Sequence, residues 1–281
     1  MIKLTPVAAA VALASILSAG TAQADSFFWA VNQFSTIQKL NGDTGAVVDS
    51  FAVPVGSGAA ASIAVVGNKG YYTLLGNPNI YAVDMTTRAS LGVAFTIAPD
   101  SYINGITPDA SGHLWFSGGD SAPLREYNTA GTLLSTHDFP TPAVGYRDGL
   151  VVFGGFAVAN RGDQRPPYDK YSISAGNTPL TLVTSSFITP TNLFGSNGIA
   201  FNGVNFYTSD EQDHKVSKWD VNGNFVSIAN LDPGSRYENW TFASQDIVIS
   251  VPEPTTYALT FMGLALVGAV ANRRRKSTLI G

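Results

Sequence analysis

The chain has 281 residues, of which 45% are hydrophobic and 13% are charged, and it contains no cysteine. Disulfides are therefore excluded, and a large hydrophobic core must stabilise the folded domain. Residues 25–250 carry 11 Lys and Arg against 19 Asp and Glu, a net charge of −8. Such an acidic surface argues against nucleic acid or anionic lipid as a partner.

Residues 1–24 have the three regions of a secretory signal peptide. Lys3 precedes an apolar run over residues 7–17, and Ala22-Gln23-Ala24 places small residues at the two positions that signal peptidase inspects. The apolar run is too short to span a bilayer permanently. A buried N-terminal helix is the alternative. We expect signal peptidase to cut after Ala24, so that the exported chain begins at Asp25.

A strand–turn–strand pattern recurs through residues 25–250. In each copy a polar turn, usually carrying Gly, separates two short strands, which is typical of a β-hairpin. The copies are Ile37–Phe51, a looser Ile80–Phe95, Leu124–Phe139, a degenerate copy from Tyr168–Ile173 to Leu182–Phe187, and Val216–Ile228.

A second two-strand unit precedes each hairpin from the second onward. These units are anchored at Ile63, Ile106, Leu150 and Ile199, which are 43, 44 and 49 residues apart. Four short strands repeated at this period are typical of the blades of a β-propeller.

The two ends of this region complete one blade between them. Only Phe27–Val31 precedes the first hairpin, so that blade lacks its innermost strand, whereas Trp240–Ser250 follows the last hairpin without a hairpin of its own. Pairing of the two segments would close the ring and remove its open edges. The sequence therefore predicts an all-β, five-bladed β-propeller closed by its C-terminal strand, with an irregular β-sandwich as the alternative.

The repeats resemble those of five- and six-bladed propellers with NHL and SMP-30-like blades. The resemblance is clear only around Gly105–Trp115, where a GxxxDxxGxxW-type pattern occurs. An SMP-30-like lactonase would need a spaced Glu for its metal site, and this pattern lacks it.

The sequence indicates no catalytic residue, cofactor or metal centre. His113, His137 and His214 have no HxH or HExxH spacing, so we expect each of them to have a surface role rather than to converge on a metal. The acidic run Asp210–Asp213 could bind calcium, which prefers clustered carboxylates, but a solvated loop is favoured and no calcium is predicted.

Four residues at the leading ends of the predicted innermost strands form a candidate ligand site. In a propeller these ends surround one mouth of the central channel. Amides, a carboxylate and an indole offer polar groups and a stacking surface, which suit a sugar or a cation. The alternative is that Asn-Gly and Asp-Gly merely form the turns that enter each strand. The four residues are Asn104, Asp148, Asn197 and Trp240.

The C-terminal segment has the pattern of a short transmembrane helix. Its 17 uncharged residues, 255–271, are at the lower limit for a helix that rises ~1.5 Å per residue across ~30 Å of hydrocarbon. The basic cluster 273–276, which contains Arg273, Arg274, Arg275 and Lys276, would stay in the cytoplasm and leave residues 25–250 outside. A core helix of the domain is the alternative, and it fits poorly with four adjacent cations.

An extended segment precedes this helix. It consists of Val251, Pro252, Glu253 and Pro254, and its two prolines keep it out of sheets and helices and accessible to an enzyme. The order of triplet, apolar helix and Arg cluster over residues 251–277 resembles the PEP-CTERM sorting signal of Gram-negative bacteria. The resemblance implies that exosortase, a membrane protease-transpeptidase, cuts near the triplet and passes the protein to the cell surface, so that contact with the inner membrane is transient.

These expectations divide the chain into a signal peptide (1–24), a β-propeller domain (25–250) and a sorting signal (251–277). We expect an exported, non-enzymatic binding or structural protein of the cell surface or exopolysaccharide matrix of a biofilm, with extracellular polysaccharide as a candidate partner. The alternative is a secreted propeller enzyme, a lactonase, hydrolase or lyase, acting on polysaccharide or lactone. A metal at the channel mouth would favour the enzyme.

Overall fold

The structure is a computed structural model. It describes residues 26–32, 35–54, 59–97, 103–119, 122–140, 147–161, 167–190, 198–210, 214–232 and, for the backbone, 237–241. The predicted signal peptide and sorting segment lie outside these residues. Among the described residues, no helix has the length and apolar character needed to cross a membrane.

The described residues form five four-stranded antiparallel sheets, here called blades 1 to 5 and given from the innermost strand outward. Blade 1 consists of β20 (Tyr237–Thr241), β1 (Phe27–Asn32), β2 (Thr36–Asn41) and β3 (Val47–Ala52). Blade 2 consists of β4 (Ala60–Val66), β5 (Lys69–Leu74), β6 (Asn79–Asp84) and β7 (Ser90–Thr96). Blade 3 consists of β8 (Ile103–Pro108), β9 (Leu114–Gly118), β10 (Leu124–Tyr127) and β11 (Leu133–His137). Blade 4 consists of β12 (Leu150–Phe153), β13 (Phe156–Asn160), β14 (Tyr168–Ser172) and β15 (Thr181–Ile188). Blade 5 consists of β16 (Ile199–Phe201), β17 (Asn205–Asp210), β18 (Lys215–Asp220) and β19 (Phe225–Asn230).

The innermost strands stand side by side in a closed ring. β4 lies beside β8, β8 beside β12, β12 beside β16, β16 beside β20, and β20 beside β4. This cycle confirms the predicted five-bladed β-propeller and excludes the β-sandwich.

The hydrophobic core lies between the blades, in five clusters that are each shared by two neighbouring blades. Strand β1 contributes to two of these clusters. Trp29 and Val31 pack toward blade 2, and Phe28 and Ala30 pack toward blade 5. Successive side chains of a strand point to opposite faces, so a strand buried on both faces must be apolar throughout. The outermost strands lose this requirement, and most of β19 is exposed.

Blade 1 is completed by the two ends of the described chain. β20 pairs antiparallel with β1, with Tyr237 opposite Asn32 and Thr241 opposite Trp29, which confirms the predicted closure. The predicted start of the closing strand at Trp240 is wrong, because the strand already begins at Tyr237; residues 242–250 lie outside the described part. Glu238 and Asn239 are residues more typical of a loop than of a strand. Residues 237–241 nevertheless form a strand because they pair with the otherwise unpaired inner edge of β1.

Four blades share one turn between their third and fourth strands. In each, an Asn or Asp side chain accepts hydrogen bonds of 2.8–3.0 Å from two backbone N–H groups of the turn, an arrangement that mimics a backbone turn. These residues are Asn41, Asp84, Asn128 and Asp220. The pKa of Asp84 is lowered chiefly by the N–H of Thr87, and that of Asp220 chiefly by the side chain of Asn224.

Two features of this turn require glycine, namely a positive φ angle and close contact with the preceding blade. Gly131 and Gly223 have φ angles of 83° and 82°, in the left-handed region. A Cβ atom at Gly131 would overlap the side chain of Phe95, and one at Gly223 would overlap the carbonyl oxygen of Phe187, both in the preceding blade. The turn therefore also sets how closely neighbouring blades pack.

A pair of truncations tests the closure. A chain that begins at residue 25 and ends at 236 lacks β20, which leaves the inner edge of β1 unpaired and the ring open. We expect this chain to aggregate, or to melt at least ~10 °C below a matched chain that ends at 249 and keeps all twenty described strands. Circular dichroism melts and size-exclusion chromatography make the comparison. Equal melting temperatures for the two chains would contradict the role assigned to β20.

Candidate functional site

Two of the four predicted site residues lie next to each other. Asn104 is the second residue of β8 and Asp148 lies just before β12, at the leading ends of neighbouring innermost strands. Nδ2 of Asn104 donates a hydrogen bond of 2.7 Å to Oδ1 of Asp148, and each residue is only 8% exposed. Asn197 and the side chain of Trp240 lie outside the described residues.

The amide of Asn104 is oriented by this contact. A carboxylate only accepts hydrogen bonds, so the amide must direct its NH₂ group at Asp148. Its oxygen, Oδ1, is buried and has no hydrogen-bond partner among the described residues. A buried acceptor without a partner costs about 1–3 kcal/mol, so this oxygen is suited to accept a hydrogen bond from a ligand hydroxyl or a water.

Arg147, which precedes Asp148 in the chain, is buried. Its guanidinium carbon lies 3.9 Å from the centre of the Phe139 ring, and its Nη1 donates a hydrogen bond of 2.9 Å to the backbone oxygen of Asn160. Burial lowers the pKa of Arg147, while the nearby Tyr171 acts in the opposite direction. The stacked aromatic ring compensates part of the cost of burying the cation.

Backbone contacts hold the segment at Arg147 and Asp148 against blade 3. Ser117 Oγ donates a hydrogen bond of 2.7 Å to the backbone oxygen of Arg147, and the N–H of Arg147 donates one of 3.1 Å to Gly118. A Cβ atom at Gly105 would overlap Ser117 Oγ and lie 2.8 Å from the backbone oxygen of Asp148. Asn104-Gly105 therefore does more than form the turn into the strand, because the glycine lets Ser117 and the backbone of Asp148 pack closely against β8.

The central channel is narrow. Cα atoms of β20 lie within 8 Å of Cα atoms of β8, although blade 2 separates these strands in the ring. A ligand larger than a few atoms would therefore bind at the mouth rather than pass through.

One of the three histidines differs from what the sequence predicts. The surface role expected for His137 is wrong: it is 1% exposed, its Nδ1 lies 2.7 Å from the backbone oxygen of Thr178, and its ring stacks on Trp115. His113 is partly exposed and its Nδ1 lies 2.7 Å from Glu126 Oε1. The sequence analysis did not identify Glu126 as a neighbour of His113. The pairing of β10 with β9, which places Glu126 opposite Trp115, is what brings the two residues together. The acidic run at 210–213 lies outside the described side chains.

A substitution at Gly105 tests the packing at the mouth. We expect Gly105→Ala to lower the free energy of unfolding by about 1–3 kcal/mol, because the added methyl group overlaps Ser117 and the backbone of Asp148. Gly176→Asn is the control, since Gly176 has open space around it and Asn tolerates its positive φ. Urea denaturation measures both. A Gly105→Ala loss no larger than that of the control would contradict the close approach.

Comparisons with known proteins identify the C-terminal segment and the fold. Residues 250–276 match the model of the PEP-CTERM protein-sorting motif. No curated protein sequence matches the chain. The propeller is similar to a chain in the crystal structure of a nidogen/laminin complex, with 14% identity, 78% of this chain and 98% of that chain covered, and a TM-score of 0.53.

Two further structures have lower scores. A protein of unknown function from Bacteroides caccae gives 14% identity, 74% and 73% coverage and a TM-score of 0.45. Catalytically inactive virginiamycin B lyase from Staphylococcus aureus, with quinupristin, gives 15% identity, 78% and 71% coverage and a TM-score of 0.46. At these identities the likenesses concern the fold alone. The chain is thus a five-bladed β-propeller protein with a PEP-CTERM protein-sorting motif, which implies export and processing by exosortase.

Proposed function

We propose that this protein is a non-enzymatic, polysaccharide-binding protein of the cell surface or exopolysaccharide matrix. The observation that carries the proposal is the buried Asn104–Asp148 pair at one end of a propeller whose chain carries a surface-sorting motif. The motif supports delivery to the surface, and the pair supports recognition of hydroxyl-rich ligands there.

The chemistry of the pair suits sugar hydroxyls. Each hydroxyl both donates and accepts, so neighbouring hydroxyls of one ring match an amide and a carboxylate held side by side. Oδ1 of Asn104 supplies an acceptor whose burial favours occupation by a donor. In this proposal Asn197 adds a second amide and Trp240 a ring on which a sugar face stacks.

The proposal includes an order for the export and cleavage of the chain. Signal peptidase removes residues 1–24, the propeller of residues 25–250 folds outside the cytoplasm, and residues 251–277 hold the chain in the membrane until exosortase acts. The carboxyl-terminal cations support this orientation because they favour the cytoplasmic side.

Binding to polysaccharide from the host's own surface tests the proposal. We expect Asp148→Ala and Asn104→Ala each to weaken binding about tenfold, as the loss of one buried hydrogen-bonding group predicts. Asp232→Ala is the matched control, because it removes an exposed carboxylate that follows β19, the outermost strand of blade 5. Co-sedimentation with the polysaccharide measures binding, and melting temperatures show that each variant is folded.

Two outcomes would overturn the proposal. Unchanged binding by both mouth variants would overturn the proposal, and a lowered melting temperature of the same variants would return these residues to a turn-forming role. Shortening of the polysaccharide during the assay would instead favour a secreted propeller hydrolase or lyase.

A further inference from the structure

We propose that Asp109, His113 and Glu126 of blade 3 form a binding site for a divalent transition-metal ion of the Zn²⁺ class. This cluster is separate from the channel mouth. β8 begins near the mouth at Ile103, whereas Asp109 and His113 lie in the turn that follows its other end, and Glu126 lies on β10. The inference therefore does not depend on the proposed function.

The candidate ligand atoms lie near the separations that a metal ion requires. One oxygen of each carboxylate and one ring nitrogen of His113 lie within 4.8 Å of one another. Nδ1 is 2.7 Å from Glu126 Oε1 and 3.7 Å from Asp109 Oδ2. Ligands about 2.0 Å from a tetrahedral Zn²⁺ are roughly 3.3 Å apart, so small side-chain rotations would complete the geometry.

Backbone and side-chain hydrogen bonds orient both carboxylates. Asp109 Oδ1 accepts hydrogen bonds from the backbone N–H groups of Ser111 and His113, at 2.8 and 3.0 Å. The indole Nε1 of Trp115 donates to Asp109 Oδ2 at 2.9 Å. Such contacts around metal ligands hold them in place and strengthen binding.

Glu126 is held in the same way. Its Oε2 accepts a hydrogen bond of 2.7 Å from Ser135 Oγ, which lies 3.0 Å from Nε2 of the buried His137. Its other oxygen, Oε1, faces His113. The network thus leaves one oxygen of Glu126 directed at the proposed ion.

Burial and composition favour a transition metal over calcium. The side chains of Asp109 and Glu126 are each 17% exposed, and that of His113 is 36% exposed, so the cluster has one side open to solvent. Three protein ligands and an open side leave a fourth position for water. Calcium prefers six to eight oxygen ligands, which one imidazole and two carboxylates do not supply.

Metal titration of the purified full-length chain, first treated with a chelator, tests the site. We expect one Zn²⁺ per chain, with a dissociation constant on the order of 10 µM or tighter by isothermal titration calorimetry. Co²⁺ should show the visible absorption of a four-coordinate ion, and Ca²⁺ should not compete with Zn²⁺ at millimolar concentration. His113→Ala and Glu126→Gln should each weaken Zn²⁺ binding at least tenfold.

The controls separate the site from loss of fold and from other ligands. Glu126→Gln keeps the length of the side chain and an acceptor for Ser135, so it preserves the packing, and circular dichroism confirms the fold of each variant. His214→Asn removes an imidazole elsewhere and should bind Zn²⁺ like the parent chain. Absence of stoichiometric binding, or binding that survives in both cluster variants, would overturn the proposal.

Discussion

The pairing of β20 with β1 is the contact on which the rest of the structure depends. Blades 2 to 5 are each formed by one continuous run of chain, but blade 1 joins Tyr237–Thr241 to Phe27–Asn32. Two of the five core clusters, those on either side of blade 1, require this blade to stand between blades 5 and 2. Closure therefore decides whether the inner strands are buried on both faces or exposed along an open edge.

Closure also links the fold to the functional site. The mouth pair Asn104–Asp148 bridges β8 and the start of β12, and β20 approaches β8 from across the channel. Because protein interiors are close-packed, the position of each innermost strand limits the positions of the others. The polar groups at the mouth are thus held by the ring as a whole, whereas the Asp109–His113–Glu126 cluster is held within one blade.

Local patterns predicted the blades because each blade is a local structure. The hairpins repeat at a nearly constant interval in the sequence. The hydrogen bonds of each turn join residues only three or four positions apart, as they do at Asn41, Asp84, Asn128 and Asp220. Contacts set by register were harder to predict. Glu126 meets His113 across neighbouring strands, and the buried contact of His137 with Thr178 crosses between blades. No motif spacing reveals such pairs until the strands are aligned.

In the sequence, only residues 242–249 separate the closing strand β20 from the sorting motif. A cut near Pro252 would release an intact ring, whereas a cut before Tyr237 would remove its last strand. Mass spectrometry of the protein from the native surface fraction measures this directly. We expect a chain that begins at Asp25 and ends within residues 251–254. A surface form that retains the basic cluster 273–276, or one that ends before residue 237, would contradict the account.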